Sequence, residues 1–369
     1  MPDVWLFPYL SAAEPADIGA CRVVPRQDFT EADAVEPWMA AAALDHLNLY
    51  KLPMTGGAVT ERFGCIVSPR GGRVGDALDR SWMQPLQRAV VAAVLEEAPT
   101  EREPGPWSAA TSDNANLYGH RLREDGEIGV TYGYLARRTV VGINVGDSKG
   151  KIPPPIELAL PLLASPFDAE YAHALYSIMA GSDQTAQRFE RAIGWLDLAW
   201  RNTDSVDRDM RIVALRCAFE VLLGAGEHMK KGRAVLSALL DAPGAPKMAR
   251  SYPNRQGTGT DTEDLTDLEW WFTKFCFLRN AIAHGNVLQS DDFLFEGEEH
   301  FFLAERRLRQ AIRKKVTDRV PELAIKRSER RLRRELRKAG LLPSAGESRH
   351  RAAVQPAGVA GGGIHFPKR

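Results

Sequence analysis

Apolar positions change their period part-way along this chain. Through the first 145 residues they fall in short runs of strand length, separated by Gly, Pro and Asp: 4–10, 21–24, 47–52, 63–67, 117–122, 128–135 and 139–145. Asp125-Gly126, between two of these runs, predicts a hairpin turn. One helix interrupts them over 85–97, where Pro85 suits a first helical position and Leu86, Val90 and Val94 share a face. Residues 1–155 therefore read as a mixed α/β domain with a small sheet, closed by the Gly- and Pro-rich stretch 149–155.

From about residue 166 the period lengthens to three and four. Ser165-Pro166-Phe167-Asp168 reads as a helix start, followed by Tyr171, Leu175 and Ile178 on one side. Phe189, Ile193, Leu196 and Trp200 stripe a helix over 188–202; Ile212, Leu215, Phe219 and Leu222 stripe another over 208–223. Met229, Val235, Leu236 and Leu239 mark a shorter one within 227–240. Residues 241–264 read as a polar loop, long for a helical bundle and so either disordered or substrate-facing. Beyond it Leu268, Trp271, Phe275, Leu278 and Ile282 define a long helix from Leu265 onward. Asp261, Thr262, Glu263 and Asp264 supply its N-cap and acidic start, and Gly285 its C-cap. The expected fold class is α+β overall, with an all-α bundle over 166–318.

Charge sharpens this picture at the C-terminal end. The whole chain is neutral, with 48 Lys and Arg against 48 Asp and Glu, yet 305–338 holds fifteen basic residues against five acidic ones. That run reads as helical, with 319–340 a basic helical extension; it is either a solvated face or an attractor for a polyanion. Residues 341–369, rich in Gly, Ala, Ser and Pro, read as a disordered tail. The 369-residue length suits two domains, and 44% apolar content suits an ordinary core. The four cysteines, Cys21, Cys65, Cys217 and Cys276, lack CxxC or His spacing and read as buried, reduced thiols; no metal site is expected. Met1–Leu10 has no basic lead and is broken by Pro8, so no secretory signal is expected, and no apolar run approaches membrane length. The expected location is cytoplasmic, with no membrane partner.

The chemistry concentrates in Leu278-Arg279-Asn280-Ala281-Ile282-Ala283-His284-Gly285, the last turn of the long helix. Arg279 and His284 lie five residues apart and diverge by roughly 140° on an ideal helix, whereas Asn280 and His284 share a face. Arg279 and His284 converge on one phosphate only if the helix end frees the histidine, or if a second copy faces the first. Cleaving RNA at its own 2′-hydroxyl requires a group that exchanges a proton near neutrality, which is histidine's range. A guanidinium stabilises the charge that builds on phosphorus with two directed hydrogen bonds. DNA, lacking the 2′-hydroxyl, is spared. The plainer reading makes Arg279 a snorkelling cation, His284 a charge suited to a helix end, and Gly285 only a cap.

The pattern Arg279-Asn280-x-x-x-His284 resembles the signature of HEPN domains, and the wording Leu-Arg-Asn-x-x-x-His-Gly resembles the Apea-like branch, over about 183–318. The resemblance implies a metal-independent endoribonuclease that works as a homodimer without cofactor, in phage defence or stress response. The alternative within the family is a non-catalytic module that binds RNA or a protein partner. It implies roles for His284 as general acid/base, Arg279 as stabiliser of the phosphorane, and Asn280 with Glu220 as orienting groups. Glu220, in Ala218-Phe219-Glu220-Val221-Leu222-Leu223, matches the acidic position of the family's second long helix; its plainer reading is an i,i+4 pair with Arg216. Lys230, Lys231, Arg233, Arg306, Arg307, Arg309 and Arg313 are the expected RNA contacts, and Tyr252 and Trp270 the expected stacking platforms. By analogy the N-terminal domain senses a trigger ligand or protein. Within it Gly71–Gly75 and Gly146–Lys151 complete no phosphate-binding fingerprint. Asp113, His120, Glu124 and Glu127 read as hairpin charges rather than metal ligands, and Tyr118, His120, Tyr132 and Tyr134 as packing or stacking residues.

Overall fold

The computed structural model describes residues 3–48, 50, 64–77, 80–96, 115–124, 131–135, 138–139, 167–201, 206–254 and 258–323. Its sheet runs β2-β3-β4-β1-β5-β6-β7, built from β1 (Val4–Phe7), β2 (Ala16–Ile18), β3 (Cys21–Pro25), β4 (Cys65–Pro69), β5 (Leu117–His120), β6 (Thr131–Leu135) and β7 (Arg138–Thr139). Every pairing in it is antiparallel. The central strand β1 reads Val-Trp-Leu-Phe and is buried throughout. Alternation explains why no polar residue interrupts it, since successive side chains point to opposite faces and both faces are covered. Val4 and Leu6 enter a core with Ala40, Ala43 and Leu47 of α1 (Pro37–Asn48), while Trp5 meets Trp82 edge-on at 5.9 Å, just ahead of α2 (Met83–Glu96).

Helix α2 is the joint of the molecule. From Leu86 to Leu95 every residue is buried, the signature of a helix covered on all sides. Gln87 donates to Asn116 ahead of β5 at 3.2 Å, and further helices close over it: α3 (Ala169–Met179) and α4 (Gln184–Trp200). The β2–β3 turn is clasped to α3 as well. Gly19 sits there at φ +61°, where any Cβ would collide with the Tyr176 ring, so only glycine serves. The described residues up to Asp318 accordingly belong to one compact unit, and 319–323 lie outside it. The stretch expected as a linker, 149–155, lies outside the described residues, as do 324–340 of the basic extension and the tail 341–369.

The remaining helices are α5 (Arg208–Leu223), α6 (Met229–Leu240), α7 (Asp267–Ala283) and α8 (His300–Thr317), and α5 contacts α4, α6, α7 and α8. Phe219 of α5 is the hub. Its ring packs at 5.5 to 6.2 Å from Trp271, Phe272 and Phe275 of α7. Asp183 and Asp207 accept from the backbone three residues on, starting α4 and α5 as caps.

The helical half departs from an all-α bundle. In place of the loop expected over 241–264 stands the hairpin β8 (Met248–Pro253) and β9 (Thr260–Leu265), and β10 (Leu294–Phe295) with β11 (Glu298–Glu299) forms a second. The first escaped notice because its strands are polar; Ser251 bonds Thr262 across it at 2.9 Å, and Tyr252 is its buried anchor. Thr266, not the acidic run 261–264, caps α7: its hydroxyl accepts from Glu269 N–H at 3.1 Å, and Glu269 accepts from Thr266 N–H at 2.9 Å. The strand expected over 47–52 is also corrected. Leu47 belongs to α1, whose Ala40, Ala43 and Leu47 follow helical spacing, and Tyr50 makes only a bridge.

Thr266→Ala removes the hydroxyl that accepts from Glu269 N–H in the capping box and donates to Asp241 at 2.8 Å, and should lower unfolding stability by about 1–2 kcal/mol in denaturant titrations. The sheet also buries a histidine pair. His120 is wholly buried, bonded to the Tyr50 hydroxyl at 2.8 Å, with its ring 4.9 Å from that of His46. Burial pushes both imidazoles below their ordinary range, and their mutual proximity lowers His120 further. Each is neutral when folded and takes a proton more readily when unfolded, so their contribution is intact above about pH 6.5 and falls as pH drops below it. Urea unfolding should show a steeper loss between pH 7 and 5 in the native chain than in His46→Phe.

Candidate functional site

Side chains cap the start of α7, and backbone geometry fixes its end. At the C-terminus Gly285 N–H bonds Ile282 C=O and Asn286 N–H bonds Ala281 C=O, each at 3.0 Å, with Gly285 at φ +68°. That is a Schellman closure, and it makes the glycine a requirement. His284 is the C-cap at φ −91°, ψ 1°, exposed, and held in place by its own N–H bond to Asn280 C=O at 3.0 Å.

Arg279 turns the other way. It is half-buried against α5, its Nη1 donates to the exposed Asn280 Oδ1 at 3.2 Å, and its Nε is buried without a hydrogen-bond partner among the described residues. Glu220 sits on the same side, paired with Arg216 at 3.2 Å, their side chains 18% and 4% exposed. The i,i+4 pair read from sequence is thus present, but inside the protein and not on a solvated face. Cys217 and Cys276 lie among these charges. Burial raises the Cys217 thiol, Glu220 adds to the rise, and Arg279 and Arg216 oppose it. Burial raises Cys276 as well, against Arg216 and Arg279 and with Glu220. Arg216, Glu220 and Arg279 therefore form one cluster around two thiols between α5 and α7. His284 makes no side-chain hydrogen bond or ion pair among the described residues and does not join it.

The expected RNA contacts are mostly engaged elsewhere. Arg233 is buried, bonded to Glu263 and to Thr273 at 3.3 Å; Lys230 bonds Glu263 at 2.5 Å and Asp261 at 3.5 Å. These two cations pull the Glu263 carboxyl down to about 2, Lys230 first. Arg309 is buried between Glu305 and the Leu95 carbonyl, and Arg313 pairs with Glu96 while lying 4.4 Å over the Tyr171 ring, which ties α8 to the end of α2. Arg306 bonds both oxygens of Glu298 at 2.7 Å, and Arg307 bonds Gln310 at 3.2 Å. Lys231 is exposed and makes no side-chain bond among the described residues. Tyr252 is buried, and the Trp270 ring already carries Lys274 at 4.6 Å and Arg250 at 5.6 Å, so neither is an open stacking platform.

On another flank of α7 lies a groove of about 480 Å³, walled by Phe277, Phe295 and His300 and rimmed by Asp291, Asp292 and Glu296. Its carboxylates outnumber Lys274, which makes it a poor host for phosphate. His300, buried there, is pushed down to about 4 by burial and by Lys274. In the sheet, Tyr118 packs on Tyr50 at 5.3 Å and His120 is buried, so both serve packing; the side chains of Tyr132 and Tyr134, and residues Asp113 and Glu127, lie outside the description. The turn at Gly71–Gly75 is closed by Asp76, which accepts from Arg73 N–H at 2.7 Å. Residues 146–151 are not described.

All four cysteines are free thiols, and three are buried. Among the described residues no three or more His, Cys, Asp or Glu gather as a metal set, and no helix is long and apolar enough to cross a membrane. Sequence reasoning missed the partnership of Arg216, Cys217 and Cys276 with Arg279. The signal was there in the i,i+4 pair Arg216 and Glu220 on a helix whose apolar stripe had already been assigned, since a charged pair beside that stripe falls at the edge of the core.

Glu220→Gln should leave the Arg216 guanidinium buried without its counter-charge, costing about 2 kcal/mol in denaturant unfolding, while Glu220→Gln combined with Arg216→Met should recover part of the loss. Comparisons of the chain with protein-family models, curated proteins and solved structures find no match.

Proposed function

We propose that the chain is a metal-independent endoribonuclease of the HEPN type, with its chemistry at the end of α7. The observation that carries this reading is the Schellman-closed helix end. It presents His284 to solvent one turn from Asn280, while the neighbouring turn holds Arg279 beside the Arg216–Glu220 pair. In this mechanism His284 takes the proton from the ribose 2′-hydroxyl as O2′ bonds to phosphorus, and returns it to the 5′-oxygen as the O5′–P bond breaks. Arg279 donates to the phosphorane oxygens, Asn280 orients them, and Glu220 with Arg216 positions the Arg279 guanidinium. The products carry a 2′,3′-cyclic phosphate and a 5′-hydroxyl.

Arg279 and His284 point to different sides of one helix, so a single copy does not bring them together. A homodimer in which two α7 ends face each other supplies His284 from one copy and Arg279 from the other. The same divergence favours the second reading, a non-catalytic module that binds RNA or a protein partner through this helix end. A cytoplasmic role in phage defence or stress response rests on the family resemblance alone.

Incubation of the purified chain with RNA and excess chelator separates the two readings. Cleavage should persist with chelator, yield cyclic-phosphate ends, and fall by about 100-fold or more in both Arg279→Ala and His284→Ala. RNA binding without cleavage, or full cleavage in folded His284→Ala, overturns the catalytic reading.

A further inference from the structure

A cleft of about 610 Å³ opens where α2 meets the helical half, well within the size of small-molecule sites, roughly 300–1,000 Å³. Helix α2 supplies Gln84 and Arg88 to it, α4 supplies Glu190, Arg191 and Trp195, and Arg201 follows the end of α4. Three guanidinium groups thus line one cavity against the single carboxylate of Glu190, and Asp197 behind them pairs with Arg201 at 2.8 Å. The balance remains positive.

Their arrangement is built rather than incidental. Arg88 is only 6% exposed and is held by the Glu190 carbonyl and by its carboxylate at 3.4 Å. Its guanidinium lies over Gly194, where a Cβ would come within 3.0 Å, so a side chain there would displace it. Arg191 and Trp195 are spaced i,i+4 and share a face of α4. Arg191 is exposed and makes no side-chain hydrogen bond or ion pair among the described residues, and the half-buried Trp195 ring carries neither a cation nor another ring among them. A planar wall, the unengaged Arg191 guanidinium and, beside it, Arg201 bonded through one amino group to Asp197 suit a ligand with a flat ring at one end and a phosphate at the other.

We propose that this cleft binds a phosphorylated heterocycle of mononucleotide size, its phosphate on Arg191 and Arg201 and its ring against the Trp195 indole. A bare phosphate leaves the indole and most of the volume unused; an uncharged nucleoside leaves the arginines unused. The occupant also touches Val221 of α5, the residue after Glu220, so it reaches the helix that carries the candidate site's carboxylate. The inference is independent of the RNA-cleavage reading, because binding is measured without RNA.

Calorimetric titration of the full chain with AMP, GMP, CMP and UMP, and with adenosine and inorganic phosphate as probes of the two ends, tests it. At least one nucleotide should bind about tenfold or more tightly than either end alone. Arg191→Glu should weaken that nucleotide by about tenfold or more without changing the melting temperature, because Arg191 makes no bond that folding uses. Trp195→Leu should weaken the nucleotide and spare phosphate. Absence of saturable nucleotide binding up to millimolar concentration, or unchanged affinity in Arg191→Glu, overturns the proposal. Phosphate binding as tight as the nucleotide overturns the assignment of a heterocycle.

Discussion

The packing of Phe219 into the aromatic cluster of α7 is the constraint on which the rest of the helical half depends. Three rings of one helix surround one ring of another, and that contact sets both the separation and the rotation of α5 relative to α7. Rotation matters more than separation, since it decides which charged residues at the edge of the stripe face each other. With Phe219 inward, Arg216 and Glu220 stand three residues before and one after it on α5, and Arg279, four residues beyond Phe275, meets them from α7. The polar cluster is thus a by-product of apolar register: shift either helix by one residue and the charges lose their partners while the rings lose theirs.

A neutral chain with a strongly basic C-terminal stretch invites a simple electrostatic picture, and for the described residues the geometry gives a more local one. Arg309, Arg313 and Arg233 are structural cations, each bridging elements far apart in sequence, and their carboxylate partners come from α8 itself, α2 and β9 respectively. Such pairs add specificity of docking more than net stability, because desolvating both charges offsets much of their attraction. Among the described residues the positive potential that remains open is concentrated in fewer places than their count of arginines implies, among them the cleft beside Trp195 and the exposed Lys231.

Sequence patterning made the long helices plain wherever the apolar stripe was strong, as in α4, α5 and α7, and it placed the Gly285 cap correctly because a left-handed closing residue has few alternatives. It read strands in the first half from alternating runs, and the order of those strands in the sheet could not come from that signal, since pairing is set by contacts between residues far apart. The misread segments share a cause. Helix α1 hid behind alanines, which carry little hydrophobic contrast, and the β8–β9 hairpin hid behind serines, threonines and acids that face solvent on a two-stranded ribbon. The site was half visible: the triad Arg279, Asn280 and His284 stands out as a string of letters, but the direction in which each side chain points depends on helix rotation, and that is a tertiary property.

Helix α2 finally bears on how such a chain can change over time. Its surface answers to two neighbours at once, the sheet on one side and helices α3 and α4 on the other, with alanines at positions 89, 92 and 93 keeping it slim enough to fit between them. A recombination event that grafted a different first half onto these helices would inherit a foreign α2 matched to the wrong cradle. Substitution in either half has to respect a girdle of small residues that tolerates almost no gain in bulk.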